Sequence, residues 1–265
     1  SEVKGMAKIT DLFDGQKDIK AKIIRTVGNP EERFAEDALR LLRAVRFAAV
    51  LGFKIEEKTL EAVEKNSDWL TAISKERIRD EFVKIINSDN AYEGVLLLEE
   101  TGLLKHIAPE LREGIGVEQN LHHIYTVWEH ITRALKYAAE KNYSLEVRLA
   151  SLFHDIGKPR AKRGKTHEDA TFYGHEVVGA RMAAEIMDQL KFPKDQAEKV
   201  VRLVRYHMFY YNPEEVTESS VRRLVRNVGP DSIDELMQVR EADRIGSGVP
   251  KAEPYRLRHL KYMID

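Results

Sequence analysis

The chain has 265 residues, of which 43% are hydrophobic and 33% charged, with a formal net charge of -1; this excludes a disordered chain, and any nucleic-acid contact must be a local patch. It has no cysteine, which excludes disulfides, thiolate zinc sites and thiol nucleophiles and fits a reducing, cytoplasmic setting. No apolar run approaches the ~18 residues of a membrane span, and a start at Ser1 with no leader leads us to expect a chain that begins partway through a longer protein.

Residues 6–28 read as short β segments around a turn at Asp14–Gly15. Helix follows. Asn29 can cap it, Pro30 suits its first position, and Glu31 and Glu32 favour its positive end. Phe34, Ala38, Leu41, Leu42, Val45, Ala48 and Ala49 recur at helical spacing up to Gly52, a C-cap glycine. Further helices are predicted at about 57–66, 74–87, 91–100, 126–141, 145–155, 174–190, 194–208, 218–227 and 231–242. The stretch 109–120, "PELREGIGVEQN", lacks periodicity and reads as a domain linker. The expected fold is mostly α, with a small β remnant at the start.

The first chemical candidate is "RFAEDALRLLRAVR". On one continuous helix, Glu36, Asp37 and Arg40 would share a face, with Arg33, Arg43 and Arg46 nearby. One reading is a solvated salt-bridge face. The other is base recognition, since a carboxylate and a guanidinium together can imitate the hydrogen-bonding edge of a base.

The surrounding "DLFDGQKDIKAKIIRTVGNPEERFAEDALRLLRAVRFAAVLGFKI" resembles class II tRNA nucleotidyltransferases, the CCA-adding enzymes, and their bacterial poly(A) polymerase relatives. The family's "DPFGGQxDL" segment, which joins a catalytic head to the neck, matches Asp11 to Ile19 with Leu12 in place of proline. Its EDxxR motif matches Glu36, Asp37 and Arg40. The resemblance implies that Asp37 and Arg40 contact the base of an incoming CTP or ATP, with Glu36 and Arg43 in the same nucleotide-binding group. It continues through "ISKERIRDEFVKII" and "LLLEETGLLKHIAPEL". The family's magnesium-holding DxD and its RRDF-type motif do not occur in these residues, and its basic C-terminal tail is expected to be missing as well. The expectation is therefore a fragment that does not add CCA unaided; magnesium, tRNA and CTP or ATP belong to the full-length parent.

A second candidate is a series of dispersed ligand-type residues. His130 lies in "TVWEHITRAL", His154 and Asp155 in "LFHDIGK", His175 in "YGHEVVGAR", His207 in "VRYHMFYY" and Asp243 in "READRIGSG". A divalent metal takes imidazole and carboxylate ligands that converge from separate rigid elements. His154 and Asp155 could both reach one ion only where a helix ends, and Gly157 offers that end. A lone buried His–Asp pair would read as a satisfied core pair; six such residues in order point to metal. The order resembles the HD phosphohydrolase superfamily. The resemblance implies a first metal site of His130, His154, Asp155 and Asp243, with Asp155 able to bridge. It implies a second ion at His175 and His207, and metal-assisted phosphoester hydrolysis with Asp155 and Lys158 in the catalytic group. The expected ions are Mn, Co, Ni, Fe, Zn or Mg, and Lys158 is expected to pair with phosphate.

The basic run "KPRAKRGK" reads either as a solvated loop or as a phosphate-facing lip. His122, His123 and His167 are weaker candidates for substrate contact, and His106 and His259 read as surface or packing residues. Tyr206, Tyr210 and Tyr211 read as core or cleft wall. The expected organisation is a head remnant over 1–28, neck and body helices over 29–115, and an HD domain over 116–265. The competing readings are a stand-alone metal-dependent phosphodiesterase and a non-catalytic RNA-binding module.

Overall fold

In a computed structural model, which describes residues 10–119, 124–164, 169–209, 217–248 and 264, Asp11 sets the first element. Its carboxylate accepts the backbone N–H groups of Gly15 and Gln16, each at 2.8 Å, and caps helix α1 (Gly15–Ala21). This stretch is helix where the sequence reading expected strand. The Asp14–Gly15 pair starts the helix instead of turning a hairpin. Among the described residues of this stretch the one strand is β1 (Ile23–Ile24), which pairs in parallel with β2 (Lys54–Ile55). It therefore joins the residues after Gly52 and not a sheet of its own.

Asn29 accepts from the N–H of Glu31 and opens α2 (Pro30–Glu36), as its sequence predicts. The expected single helix then breaks. Asp37 is extended at φ -154° and ψ 103°, and α3 (Leu39–Leu51) begins beyond it. The Asp37 carboxylate supplies the reason, accepting the N–H of Leu39 at 3.1 Å as a new cap. Glu36, Asp37 and Arg40 thus do not lie on one helix face. Helices α4 (Glu57–Lys65), α5 (Lys75–Ile86), α6 (Ala91–Glu100) and α7 (Leu104–Ile107) follow.

The expected linker is packed. Pro109–Gly114 forms a 3-10 helix whose Leu111 is fully buried, and Gly114 lies so close to α8 that a Cβ there would come within 3.1 Å of the Trp128 backbone nitrogen. A capping box of Thr126 and Glu129 starts α8 (Val127–Glu140). Then come α9 (Leu145–Phe153), α10 (Lys158–Ala161), α11 (His175–Gln189), α12 (Lys194–Tyr206), α13 (Glu218–Val228) and α14 (Ile233–Gly246). The fold is mostly α, and α4, α5, α6, α8, α9 and α11 to α13 fall within about two residues of their sequence positions, while α14 runs past its predicted end.

One continuous apolar core runs from Phe34 to Val239, through both halves of the chain. Arg148, 2% exposed, crosses the junction between them. It donates to the carbonyls of Ile86 at 3.0 Å and Ser88 at 2.9 Å, and to Tyr143 O at 2.9 Å. Among the described residues no helix is long and apolar enough to cross a membrane.

Candidate metal centre

Helix α9 ends at Phe153, and the turn that follows releases His154 and Asp155 from a common helical track. Close helix contacts then bring the remaining groups in. Gly157 lies against α11, where a Cβ would come within 2.3 Å of His175 O and 2.5 Å of Gly179 N. Its role is close approach, beyond ending the helix. Gly246 does the same for α14 on α8, with a Cβ position 3.0 Å from His130 O.

The result is a buried cluster. His130 Nε2 lies 2.9 Å from His154 Nε2, 3.0 Å from Asp155 Oδ2 and 3.2 Å from Asp243 Oδ1. On the other side, Asp155 Oδ1 lies 3.1 Å from His175 Nε2 and 3.6 Å from His207 Nε2. The groups form two sets with ligand-type spacing, His130, His154, Asp155 and Asp243, and then Asp155, His175 and His207. All six residues named from sequence are brought together.

Three histidines are oriented alike. Nδ1 of His154, His175 and His207 faces the carbonyl three residues earlier, Ser151, Phe172 and Val204, at 2.8, 2.8 and 2.7 Å. With the Nδ1 proton donated there, Nε2 is the atom left to accept a metal. The buried Nε2 atoms of His175 and His207 make no hydrogen bond with the carboxylate they face. These donors fit a divalent ion of the imidazole-binding kind.

Electrostatics point the same way. Burial opposes a charge on His154, but Asp155 and Asp243 outweigh it and push the imidazole up to about 10. Burial also opposes charge on the two carboxylates. The charges of Lys158 and His154 hold Asp155 well below the ordinary range, and hydrogen bonds from His130 and His154 with the Arg240 charge do so for Asp243. Burial lowers His207, which favours its neutral form. A proton on His154 thus occupies electrostatically the place a cation would take.

Lys158 is tied into the cluster. It is buried, and its ammonium reaches Asp155 Oδ2 and Gln119 Oε1, each at 2.6 Å. Other cations of its basic run are also engaged, Arg160 with Glu113 and Lys162 with Glu118 O. Arg240, which the sequence reading missed, donates to Asp243 Oδ2 at 2.5 Å; its i,i+3 spacing from Asp243 was the available signal. A cleft of about 820 Å³ opens beside the cluster, lined by Lys158, Tyr173, His175, Arg240, Asp243 and Arg244 among others.

In the first half, Glu36 pairs with Arg33 at 2.6 Å and with Arg40 at 2.5 Å. Asp37 pairs with Arg77 at 2.9 Å, a partner that no sequence pattern marked. The Leu39 N–H and the Arg77 and Arg43 charges hold Asp37 low against burial, which opposes them. Arg43 and Arg46 approach the buried carboxylate of Glu81 at 3.8 and 2.8 Å. His106 meets Asp68 at 3.0 Å, and Tyr206 is partly buried against the core. His122, His123, His167, His259, Tyr210, Tyr211 and Lys165 lie outside the described residues.

Comparison with known proteins finds similarity in both halves. The family described as "Probable RNA and SrmB- binding site of polymerase A" matches residues 52–115, and the HD domain family matches 127–247. The chain is 35% identical to the A-adding tRNA nucleotidyltransferase of Deinococcus radiodurans, over 89% of this chain and 56% of that one. It is also 35% identical to the CC-adding tRNA nucleotidyltransferase of Thermus thermophilus, over 88% of this chain and 54% of that one. The chain belongs to the tRNA nucleotidyltransferase family. The solved CCA-adding enzyme of Bacillus stearothermophilus in complex with CTP superposes with a TM-score of 0.63 at 25% identity, over 96% of this chain and 53% of that one. The chain spans little more than half the length of the curated relatives it matches.

Proposed function

We propose that this chain is the part of a tRNA nucleotidyltransferase that pairs a nucleotide-selecting neck and body, 29–115, with a metal-dependent phosphohydrolase domain, 116–265. The clamped Nδ1 atoms of His154, His175 and His207 carry the reading, because they turn three buried Nε2 atoms toward Asp155. His130, His154, Asp155 and Asp243 would hold one ion, and Asp155, His175 and His207 would hold a second. Imidazole-rich donors favour Mn, Co, Ni, Fe or Zn over Mg. A divalent ion held there supplies Lewis acidity, which eases ionisation of water near neutral pH and offsets phosphate charge. Lys158 and Arg240 fix the two carboxylates, so the donors are set before an ion arrives.

In the first half, Asp37 and Arg40 select the base of CTP or ATP, with Glu36 and Arg43 in the same nucleotide-binding group. The broken helix supports this in modified form. Arg40 is held from both Glu36 and the Arg33 carbonyl, and Asp37 is aimed separately by Arg77. Transfer of nucleotides to tRNA, with magnesium, is the activity we propose for the whole protein, since these 265 residues contain no DxD.

The test is hydrolysis by chelator-treated chain reloaded with Mn, Co or Ni. A 2′,3′-cyclic nucleotide and an aryl phosphate are the substrates. We expect metal-dependent turnover that falls about 100-fold or more in Asp155→Asn, whose amide cannot bridge two ions. No turnover on either substrate at full metal occupancy rules the hydrolase reading out.

A further inference from the structure

The expected phosphate partner, Lys158, is spent on Asp155 and Gln119. Arg240 in the same cleft is spent on Asp243. Glu176, the remaining carboxylate of the wall, faces Arg205 at 3.4 Å. One cation is left over. Arg244 is half-buried, lines the cleft, and makes no ion pair or side-chain hydrogen bond among the described residues. It stands one turn beyond Arg240 on α14, so Arg240, Asp243, Arg244 and Ser247 share the helix face that forms the cleft wall. An arginine with an unused guanidinium fork beside a metal-type cluster is suited to two oxygens of one phosphate.

The same cleft carries a second unexplained group. Tyr173 is 86% exposed although it lines the same cleft, between the nearly buried Phe172 and Gly174. Gly174 has φ 77° and starts α11, so the chain turns sharply there and leaves the tyrosine outside the core. A large aromatic side chain this exposed, with no packing partner among the described residues, offers a face for a flat ring at the mouth of the cleft.

We propose that Arg244 grips the phosphate and Tyr173 lies against the ring of the substrate, so that this cleft selects phosphate esters of a flat heterocycle over plain phosphate esters. The assignment rests on the phosphohydrolase reading for its purpose, but it concerns binding and is tested by binding.

Calorimetric titration of metal-free and Mn-loaded protein with adenosine 5′-monophosphate and inorganic phosphate decides it. We expect the nucleotide to bind about tenfold or more tighter than phosphate. Arg244→Gln should weaken both about tenfold or more, and Arg244→Lys should recover part of the loss. Tyr173→Ala should weaken the nucleotide about tenfold and phosphate less than about twofold, and Tyr173→Phe should restore the nucleotide. Melting curves and metal content of each variant separate these effects from lost structure. If Arg244→Gln does not fold, Arg244→Lys carries the test. Its loss of the fork should still weaken phosphate severalfold, and unchanged affinity in that variant overturns the assignment. Wild-type protein that binds neither probe, or Arg244→Gln that binds both as tightly as wild type, also overturns it. Equal losses of nucleotide and phosphate in Tyr173→Ala remove the ring selection. Nucleotide binding as described without any hydrolysis would defeat the hydrolase reading alone.

Discussion

His154 is the residue on which the chemistry turns. In the metal-free protein the two carboxylates keep it protonated up to about 10. Its folded value lies above its ordinary 6.5, so its contribution to metal-free stability is fully present below about 6.5 and is lost as pH rises through about 10. Asp155 and Asp243 act in the opposite sense. Their contribution is present above the ordinary carboxylate range and is lost as pH falls through their depressed values. Metal must displace the His154 proton. Between pH 7 and 9 we therefore expect metal affinity to rise about tenfold per pH unit, with about one proton released per first ion. Calorimetry in buffers of different ionisation enthalpy counts that proton. Affinity independent of pH would show that His154 is not the displaced group. The six ligand-type residues were legible because their chemistry is rare in a core and their order matched a known pattern. The pairing of Lys158 was not. Its place three residues after Asp155 allows the pairing, but only the folded turn shows that it is buried there.

At the scale of elements, the strongly periodic helices were legible, because burial of one face decides both their existence and their phase. The failures have a common physical origin in short polar side chains that bind backbone N–H groups. Asp11 converts an expected strand into α1, and Asp37 cuts an expected single helix into α2 and α3. The close contacts at Gly157 and Gly246 were also hidden, since a sequence does not say which helix approaches which. They yield a sharp expectation. A methyl at Gly157 would meet the α11 backbone at His175 O and Gly179 N, which cannot move aside as a side-chain end can. Gly157→Ala should cost about 2–3 kcal/mol and lower metal occupancy, because α11 carries His175. Thermal melting and metal analysis check both. A variant with wild-type stability and full metal content would show that the α10 and α11 contact does not position the site.

At the scale of the whole molecule, the two halves share one core, and the stretch that looked like a linker is packed into it. Composition hid this, because Pro and Gly mark irregular backbone without saying whether it is buried. The two tryptophans report on the halves separately, Trp69 before the junction and Trp128 in α8. With either one changed to Phe, urea unfolding followed by the other should give the same midpoint, as one cooperative unit requires. Two separated midpoints would show independent domains.

The buried cluster carries the proposed chemistry, and anomalous diffraction at the Mn edge from Mn-soaked crystals tests it most directly. We predict two peaks on either side of Asp155, about 3.5–4 Å apart. His130, His154 and Asp243 should ligate one, and His175 and His207 through Nε2 the other. No peak within the cluster at saturating Mn would contradict the metal centre.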